Sequence, residues 1–218
     1  MSRSRIDHLV VTAPTLEAGA DYLRNLLGVE PVPGGTHPRM GTHNRLLKLG
    51  ESCYLEVIAV DPAAARPNRS RWFELDAFGL TPPCLRAWVA NTDSIEAACA
   101  ASSLSLGLIE PMCRGELEWL ISIPANGDLV MQGVAPQLIQ WPADRHPAAK
   151  LADSGCKLVG LEGFHPQAKQ IEQCLANIGF DDCFSVSLPP PGMSPHLAAT
   201  IQTPAGLRRI GGASGFRL

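Results

Sequence analysis

The sequence predicts an α+β fold in which two βαβββ units form a curved mixed sheet around a cleft, with a third, degenerate unit at the C-terminus. Three observations lead to this prediction. A pattern of strand, helix and three strands fills the first part of the chain. The same pattern recurs when the sequence is aligned with itself so that Ile95 falls on Leu16. It recurs more weakly when Gly179 falls on Gly28. The composition, 45% hydrophobic and 18% charged, is that of a folded chain.

The first unit begins with a strand at residues 6–12 and continues with a helix at residues 16–27. Apolar residues at positions 16, 20, 23 and 27 line one face of this helix. Thr15 suits the start of the helix and Gly28 suits its end. Three strands are predicted to follow, at residues 30–33, 44–49 and 53–60.

The second unit matches the first in its strand, its helix and its exit from the helix. Residues 85–91 fall on the first strand, and Gly107 falls on Gly28. In both units a Glu-Pro pair follows shortly after this glycine. Strands are expected at residues 118–123, 128–132 and 137–141.

The third unit is a looser copy, with a strand at 157–161, a helix at 166–177 and strands near 183–188 and 196–202. We expect its last strand to be missing or short. The predicted organisation is therefore a domain at 1–147 made of two units, about 5–62 and 84–142, with a βαββ unit at 156–218 packed on it. Linkers are expected at 62–70 and 142–155, where the composition shifts.

Charge and motifs exclude several classes of function. The net charge of −3 and the lack of a like-charge block argue against a nucleic-acid partner. The N-terminus lacks the apolar region of a secretory signal, and prolines interrupt the longest uncharged stretch, so we expect a cytoplasmic protein without a membrane span. No Rossmann, Walker or nucleophile-elbow motif occurs.

The strongest candidate site residues are His8 in the first strand and Glu56 in the fourth. Alternate side chains of a strand face the same way, so both can point into one cup. A histidine and a carboxylate commonly hold a divalent metal. Taken singly, His8 is equally well explained as a core histidine bonded to backbone, and Glu56 as an acid paired with Arg45. Together they favour a site, because a carboxylate between Leu55 and Val57 needs compensation.

The segment at residues 34–45 adds His43 and Arg45, which share strand parity, so that one or both can face the cleft. Its glycines and Asn44 are explained as turn residues. Arg114 and Trp119 in the second unit are weaker candidates that either line the same cup or lie on the surface.

The paired units, together with several local motifs, resemble the vicinal oxygen chelate superfamily and, within it, bacterial proteins with a glyoxalase-like domain. The motifs are Asp7-His8-Leu9-Val10-Val11, Tyr54-Leu55-Glu56-Val57-Ile58, His37-Pro38, Gly41-Thr42-His43-Asn44 and Trp72-Phe73. The resemblance covers about residues 5–147. It implies an eight-stranded cup and a divalent metal ion, Fe, Mn, Ni or Zn, held by the first and fourth strands of each unit.

Carried over to this chain, the resemblance places the metal on His8 and Glu56. The second unit departs from the pattern, because Ala87 stands where His8 stands in the first unit and the fourth-strand match falls at Pro136 or Gln137. His43, or Gln137 if it faces inward, is then needed to complete the ligand set.

The resemblance therefore implies a protein that binds a small oxygen-rich metabolite, as a metal-dependent isomerase, lyase or dioxygenase. Glu56 and His43 are the expected catalytic residues, and the expected substrate contacts are Arg45, Arg114 and Trp119. The alternative is a metal-free protein of the same fold that binds or sequesters a small molecule. Homodimerisation is a further alternative.

Overall fold

The first unit has the predicted order of a strand, a helix and three strands, but its second strand covers Val32–His37, so Gly34 and Gly35 lie in a strand and not in the predicted turn. The computed structural model describes residues 2–78, 81–143 and 145–212. Its first elements are β1 (Ser4–Thr12), α1 (Leu16–Leu27), β2 (Val32–His37), β3 (Thr42–Lys48) and β4 (Tyr54–Val60). The Thr15 side chain accepts a hydrogen bond from the Ala18 N–H, and Gly28, at φ 73°, ends α1 in a left-handed conformation.

The second unit follows a short connection. A 3₁₀ turn at Trp72–Glu74 and the one-turn helix α2 (Leu75–Phe78) precede it. Its elements are β5 (Cys84–Thr92), α3 (Ile95–Ala101), β6 (Leu108–Arg114), β7 (Leu117–Ile123) and β8 (Gln137–Gln140).

The strand predicted at 128–132 is wrong, and β6 takes its place in the unit. Met131 and Gln132 have φ values of 49° and 52°, which extended backbone does not allow, and they lie in a 3₁₀ turn. The strands β6 and β7 form an antiparallel hairpin, whose turn consists of the two residues between Arg114 and Leu117. Most side chains of β6 are not buried and Pro111 interrupts the strand, so the alternating pattern that marks a strand is weak there.

The two units form one eight-stranded sheet in the order β2-β3-β4-β1-β5-β8-β7-β6. The central strands β1 and β5 are antiparallel, and each pairs in parallel with the last strand of its own unit. The two edge strands approach each other. Arg114 of β6 packs on Gly35 of β2, where a Cβ atom would lie 2.9 Å from the arginine Cγ and Cδ atoms.

A charged cluster also bridges this edge. Glu110 of β6 accepts hydrogen bonds from Arg39 and Arg69, which both lie in the first half of the chain. The hydrogen bonds from Arg69 hold the pKa of the Glu110 carboxyl below its usual range. The sheet is therefore closed into a cup.

The sheet buries both of its faces. Its convex face packs against α1, α3 and the second sheet, through residues such as Leu9, Val57 and Trp88. Its concave face carries a second apolar cluster that includes Val10, Ile58, Val89 and the core of the 3₁₀ turn after β4. Side chains that alternate along β1 and β4 therefore belong to two different environments.

The C-terminal segment forms a four-stranded sheet behind the cup. Its elements are β9 (Lys157–Phe164), α4 (Ala168–Asn177), β10 (Phe184–Ser187), β11 (His196–Thr203) and β12 (Gly206–Gly211), in the order β10-β9-β11-β12. Its apolar residues join the cluster on the convex face of the large sheet, where Phe184 packs on Trp88.

The expected βαββ composition of this segment is wrong, because β12 is present. A tight hairpin turn makes it possible, in which the Thr203 hydroxyl donates a hydrogen bond to the Gly206 carbonyl. The topology also differs from that of the first two units, since β9 pairs in parallel with β10, the strand directly after its helix. Residues 213–218, the end of the predicted unit, lie outside the described residues.

No helix in the described parts of the chain has the length and apolar character needed to cross a bilayer.

Candidate functional site

A bulge in β1 brings Asp7 and His8 to the same site. Ile6 pairs with Ala90 and His8 with Val89, so Asp7 is an extra residue in the strand. The Asp7 Oδ1 atom lies 2.6 Å from His8 Nδ1, and both side chains are buried. The His8 ring also stacks on Tyr54, with 4.6 Å between the ring centroids. The orientation of the His8 imidazole is therefore fixed from two sides.

Asp7 is held as a buried carboxylate by donors from the second unit. Its Oδ2 atom lies 2.8 Å from Trp141 Nε1, 3.1 Å from Asn91 Nδ2 and 3.0 Å from His146 Nε2. Burial alone would raise the pKa of Asp7, but the hydrogen bonds from His146 and His8 hold it well below its usual range. Because Asp7 is ionised, it accepts the Nδ1–H of His8, so Nε2 is the ring nitrogen that is left to face the cavity.

The Glu56 carboxylate faces the Nε2 atom of His8 across a short gap. Its Oε2 atom lies 3.7 Å from His8 Nε2, too far for a hydrogen bond, and the residue is only 6% exposed. Its other oxygen, Oε1, accepts a hydrogen bond of 2.5 Å from the Asn44 side chain. The Asn44 Oδ1 atom accepts in turn from the Gly35 N–H at 2.9 Å. The carboxylate is thus oriented by β2 and β3, with one oxygen directed at His8.

His8 and Glu56 line a small buried cavity. The centre of a water molecule can occupy about 20 Å³ of this cavity, so there is room for one water or one ion. The other lining residues are mostly aromatic or aliphatic: His37, Tyr54, Trp72, Phe73, Arg114, Trp119, Ile121, Ile139 and Trp141. Such walls exclude water and strengthen electrostatic interactions within the cavity.

His37 is neutral in this setting. Burial, together with the positive charge of Arg114, lowers the pKa of His37 to about 3. Its Nδ1 atom lies 3.1 Å from the Thr42 hydroxyl, and its ring meets Trp72 edge-on. His37 therefore contributes a polar but uncharged wall.

Two of the predicted substrate contacts, Arg114 and Trp119, lie in the wall of the cavity. Within the described parts of the chain, no carboxylate pairs with Arg114 and no acceptor pairs with the buried Nε1 atom of Trp119. The cavity is thus bordered by a cation and a donor that are free to bind an anion.

The predicted site residues His43 and Arg45 lie on the face of β3 that points away from the cavity. The prediction that they face the cleft is therefore wrong. In the register of β3 with β4, His43 faces Ala59 and Arg45 faces Val57. Ala59 and Val57 belong to the convex core, away from Glu56. Arg45 lies 3.6 Å from Glu30 instead. Strand parity therefore directs Asn44, rather than His43, towards the cavity.

Gln137 occupies the place in the second unit that Glu56 occupies in the first. Glu56 lies opposite Val10 in β1, and Gln137 lies opposite Val89 in the equivalent strand β5. Gln137 is 2% exposed, and neither its Nε2 nor its Oε1 atom has a hydrogen-bond partner within the described ranges 2–78, 81–143 and 145–212. A buried amide without partners is costly and points to a missing ligand.

The described residues contain no group of three His, Cys, Asp or Glu side chains that could hold a metal ion. A three-donor set on the concave face therefore has to combine His8 and Glu56 with a donor of another type. Gln137 offers an amide oxygen on that face, whereas Ala87, the counterpart of His8, offers none.

Sequence reasoning missed Asp7, Asn44 and His37. Asn44 and His37 both lie in the His-rich segment at 34–45, so the sequence did point to their neighbourhood. The prediction turned His43 towards the cleft, whereas the register of β3 turns Asn44 there. The signal for Asp7 was its place beside His8, and only the bulge turns the two side chains to one side.

Comparisons with known proteins agree with this architecture. The family model described as a glyoxalase-like domain matches residues 6–179. No curated protein sequence matches the chain. A hypothetical protein from Staphylococcus aureus has a similar structure, with 13% identity, a TM-score of 0.55, and coverage of 85% of this chain and 86% of that one.

Two further solved structures, both of named enzymes, are similar to the chain at low identity. A variant of 4-hydroxymandelate synthase from Streptomyces coelicolor is 12% identical, with a TM-score of 0.53 and coverage of 97% of this chain and 63% of that one. Methylmalonyl-CoA epimerase from Mycobacterium tuberculosis is 13% identical, with a TM-score of 0.43 and coverage of 63% and 87%. From the extent of the family match, which spans most of the chain, the chain belongs to the glyoxalase-like domain family.

Proposed function

We propose that the chain is an enzyme that holds a divalent metal ion with His8, Glu56 and Gln137 and moves a proton on a small, oxygen-rich carboxylate. The observation that carries the proposal is the gap between His8 Nε2 and Glu56 Oε2. The two atoms are buried and 3.7 Å apart, and no hydrogen bond joins them. Two ligands of one ion commonly stand at such a separation, since each ligand atom lies about 2.0–2.2 Å from the metal.

The surroundings of His8 fit a metal ligand. An imidazole that binds a metal through Nε2 usually donates its Nδ1 proton to a carboxylate, which fixes the tautomer and raises the basicity of the ligand. Asp7 fills that role here. The buried amide of Gln137 gains a partner for its oxygen if the same ion binds it.

The bound ion supplies Lewis acidity, which stabilises negative charge on a substrate oxygen. The Glu56 carboxylate is the proposed proton acceptor, and Asn44 orients it through a hydrogen bond to Oε1. His37, with its pKa lowered to about 3, is unsuited to act as the base at neutral pH.

The same donor set favours an isomerase or lyase over a dioxygenase. Non-haem iron oxygenases typically use two histidines and one carboxylate. Here Ala87 occupies the position of the second histidine, and His43 lies on the convex face. Proton transfer next to a stabilised oxygen needs only the Lewis acid and one base.

Arg114 and Trp119 are the proposed substrate contacts. The unpaired guanidinium suits a carboxylate, and the free indole N–H suits a second oxygen. The aromatic walls favour a flat, partly apolar molecule over a heavily hydrated one.

Elemental analysis of protein purified without a metal-binding tag tests this proposal. We expect nearly one equivalent of divalent metal, after incubation with Mn²⁺, Fe²⁺, Ni²⁺ or Zn²⁺, and its loss in His8→Ala and Glu56→Gln. His43→Ala is the matched control, because that side chain lies on the convex side of β3, and it should keep the metal. Metal retained at full stoichiometry in His8→Ala would contradict the proposal.

A metal-free binding protein is the second candidate, and two observations favour it. Ala87 removes a ligand position, and Asn44 already donates a hydrogen bond to Glu56, which partly satisfies the buried carboxylate. In that case His8 and Glu56 bind the small molecule directly. Failure of the wild type to bind any of the four metals would make this candidate the leading one.

A further inference from the structure

A larger cleft lies directly beside the small cavity. It has a volume of about 520 Å³ for the centre of a water molecule, and Trp119 and Trp141 line both spaces. Its other walls are largely apolar and include Met112, Leu120 and Pro142. The inner cavity has room for a single water-sized group, so a substrate larger than that must extend through the tryptophan pair.

The two tryptophans are anchored very differently. Their rings stack at a tilt, with 5.1 Å between the centroids. Trp141 donates its indole N–H to Asp7 at 2.8 Å, so moving it would break a hydrogen bond to a buried carboxylate. Trp119 is only 6% exposed, and its indole N–H has no hydrogen-bond partner among the residues that the structure describes. Moving Trp119 therefore breaks no hydrogen bond of its indole N–H within the described residues.

We propose that the cavity and the cleft form one binding site for a carboxylic acid with an apolar tail of several carbon atoms. The oxygen-bearing head lies at the edge of the inner cavity, next to the proposed metal position, the tail lies in the cleft, and Trp119 moves aside and donates its indole N–H to a ligand oxygen. This inference rests on the proposed function for the position of the head. The assignment of the tail depends only on the wall that the two spaces share, Trp119 and Trp141, and on the indole donor of Trp119 in that wall.

The apolar lining sets the expected preference. Each methylene buried in the cleft should tighten binding about fourfold, until the cleft is filled. Arg39 and Glu118 also border the cleft, but Arg39 is already paired with Glu110, so no unpaired cation is evident there to anchor a second anionic group. The tail is therefore expected to be uncharged.

Isothermal titration with two probes, 2-oxobutanoate and 2-oxooctanoate, tests this inference on the full chain, both metal-loaded and metal-free. Cys113→Tyr is the variant that blocks the cleft, because Cys113 is exposed and lines the cleft without lining the inner cavity. Trp119→Phe keeps the aromatic wall and removes only the indole N–H. The ¹⁵N–¹H signal of the Trp119 indole, assigned by its loss in Trp119→Phe, reports on the hydrogen bond.

We expect the longer acid to bind at least tenfold more tightly than the shorter one in the wild type, and Cys113→Tyr to remove that advantage while the shorter acid is unaffected. The Trp119 indole signal should shift on binding and that of Trp141 should not. Equal affinity for the two acids, an unmoved Trp119 signal or no binding of either acid overturns the inference. Metal content is measured separately, so a length preference in a protein that binds no metal supports this inference and contradicts only the metal site.

Discussion

Asp7 and His8 are adjacent in the chain, yet their side chains meet on one side of β1, with 2.6 Å between Asp7 Oδ1 and His8 Nδ1. Neighbouring residues of a regular strand point to opposite faces. The bulge at Asp7 removes that restriction, and donors from Asn91, Trp141 and His146, all outside the first unit, then surround the carboxylate. The orientation of His8 therefore depends on the packing of both units.

Replacing Asp7 by asparagine should weaken metal binding without removing a ligand. The amide would place a donor group among donors from Trp141, Asn91 and His146, so His8 would lose its fixed tautomer. We expect Zn²⁺ affinity, measured by competition with a chelator, to fall about 10–100-fold. Asp21→Asn, at an exposed site paired with Arg24, is the control and should leave the affinity unchanged. An unchanged affinity in a folded Asp7→Asn protein would show that Asp7 does not orient the ligand.

Replacing Gln137 by methionine should separate stability from metal binding. The change removes a buried amide whose two polar atoms lack partners, so the metal-free protein should gain about 1–3 kcal/mol of unfolding free energy in urea titrations. The same variant should bind Zn²⁺ more weakly, because methionine offers no hard oxygen donor. A variant that is less stable and binds metal normally would indicate a purely structural Gln137.

Stability should fall as the pH drops below about 6, and His37 should cause part of the fall. Burial lowers the pKa of His37 to about 3, whereas the unfolded chain titrates near 6.5. Between these values the unfolded state binds more protons, so stability rises with pH and is lost as the pH falls. The loss is about 1.4 kcal/mol per pH unit for one such group.

Urea unfolding of the wild type and His37→Gln from pH 7.5 to 4.5 measures this contribution. The variant should lack the component due to His37, so the difference between the two slopes isolates it. Asp7 does not interfere, because a carboxylate with a depressed pKa loses its stabilising contribution only below about pH 4. Parallel slopes in the two proteins would mean that His37 titrates alike in the folded and unfolded states, which contradicts the lowered pKa.

Adding one methyl group at Gly35 should displace Arg114 and leave the metal site intact. The new Cβ atom would lie 2.9 Å from the Cγ and Cδ atoms of Arg114, a flexible side chain that can give way. We therefore expect Gly35→Ala to weaken binding of 2-oxobutanoate by about tenfold with normal metal content, since a charge-assisted hydrogen bond contributes about 1.5–3 kcal/mol. Gly160→Ala, where nothing lies within 4 Å, is the control. Loss of metal in Gly35→Ala would mean that the substitution disturbs Asn44 and Glu56 instead.

The sequence predicted the paired units because their signals are local. The helix α1 is marked by apolar spacing, a Thr15 cap and a Gly28 terminator, and the structure reproduces all three. The strand β6 was missed because it is an edge strand with few buried side chains. Its sequence therefore lacks the alternation of apolar and polar residues that marks a strand. The topology of the last segment depends on which strand pairs with β9, and strand pairing is a long-range property that spacing does not encode.

The candidate site was only partly predictable for the same reason. His8 and Glu56 follow the simple alternation of their strands, and both line the cavity. His43 failed because the choice between two adjacent positions of β3 depends on register with β4, and a slip of one residue exchanges the faces. Arg114 reaches the cavity only because the two edges of the sheet approach each other at Gly35.

The most direct test of the central claim is the electron paramagnetic resonance spectrum of the Cu²⁺-loaded protein, in which nitrogen couplings reveal bound imidazole. We predict one histidine nitrogen in the wild type, retained in His43→Ala and lost in His8→Ala. Loss of the coupling in His43→Ala with its retention in His8→Ala would contradict the account, because it would place the metal on the convex side of β3, away from the cavity.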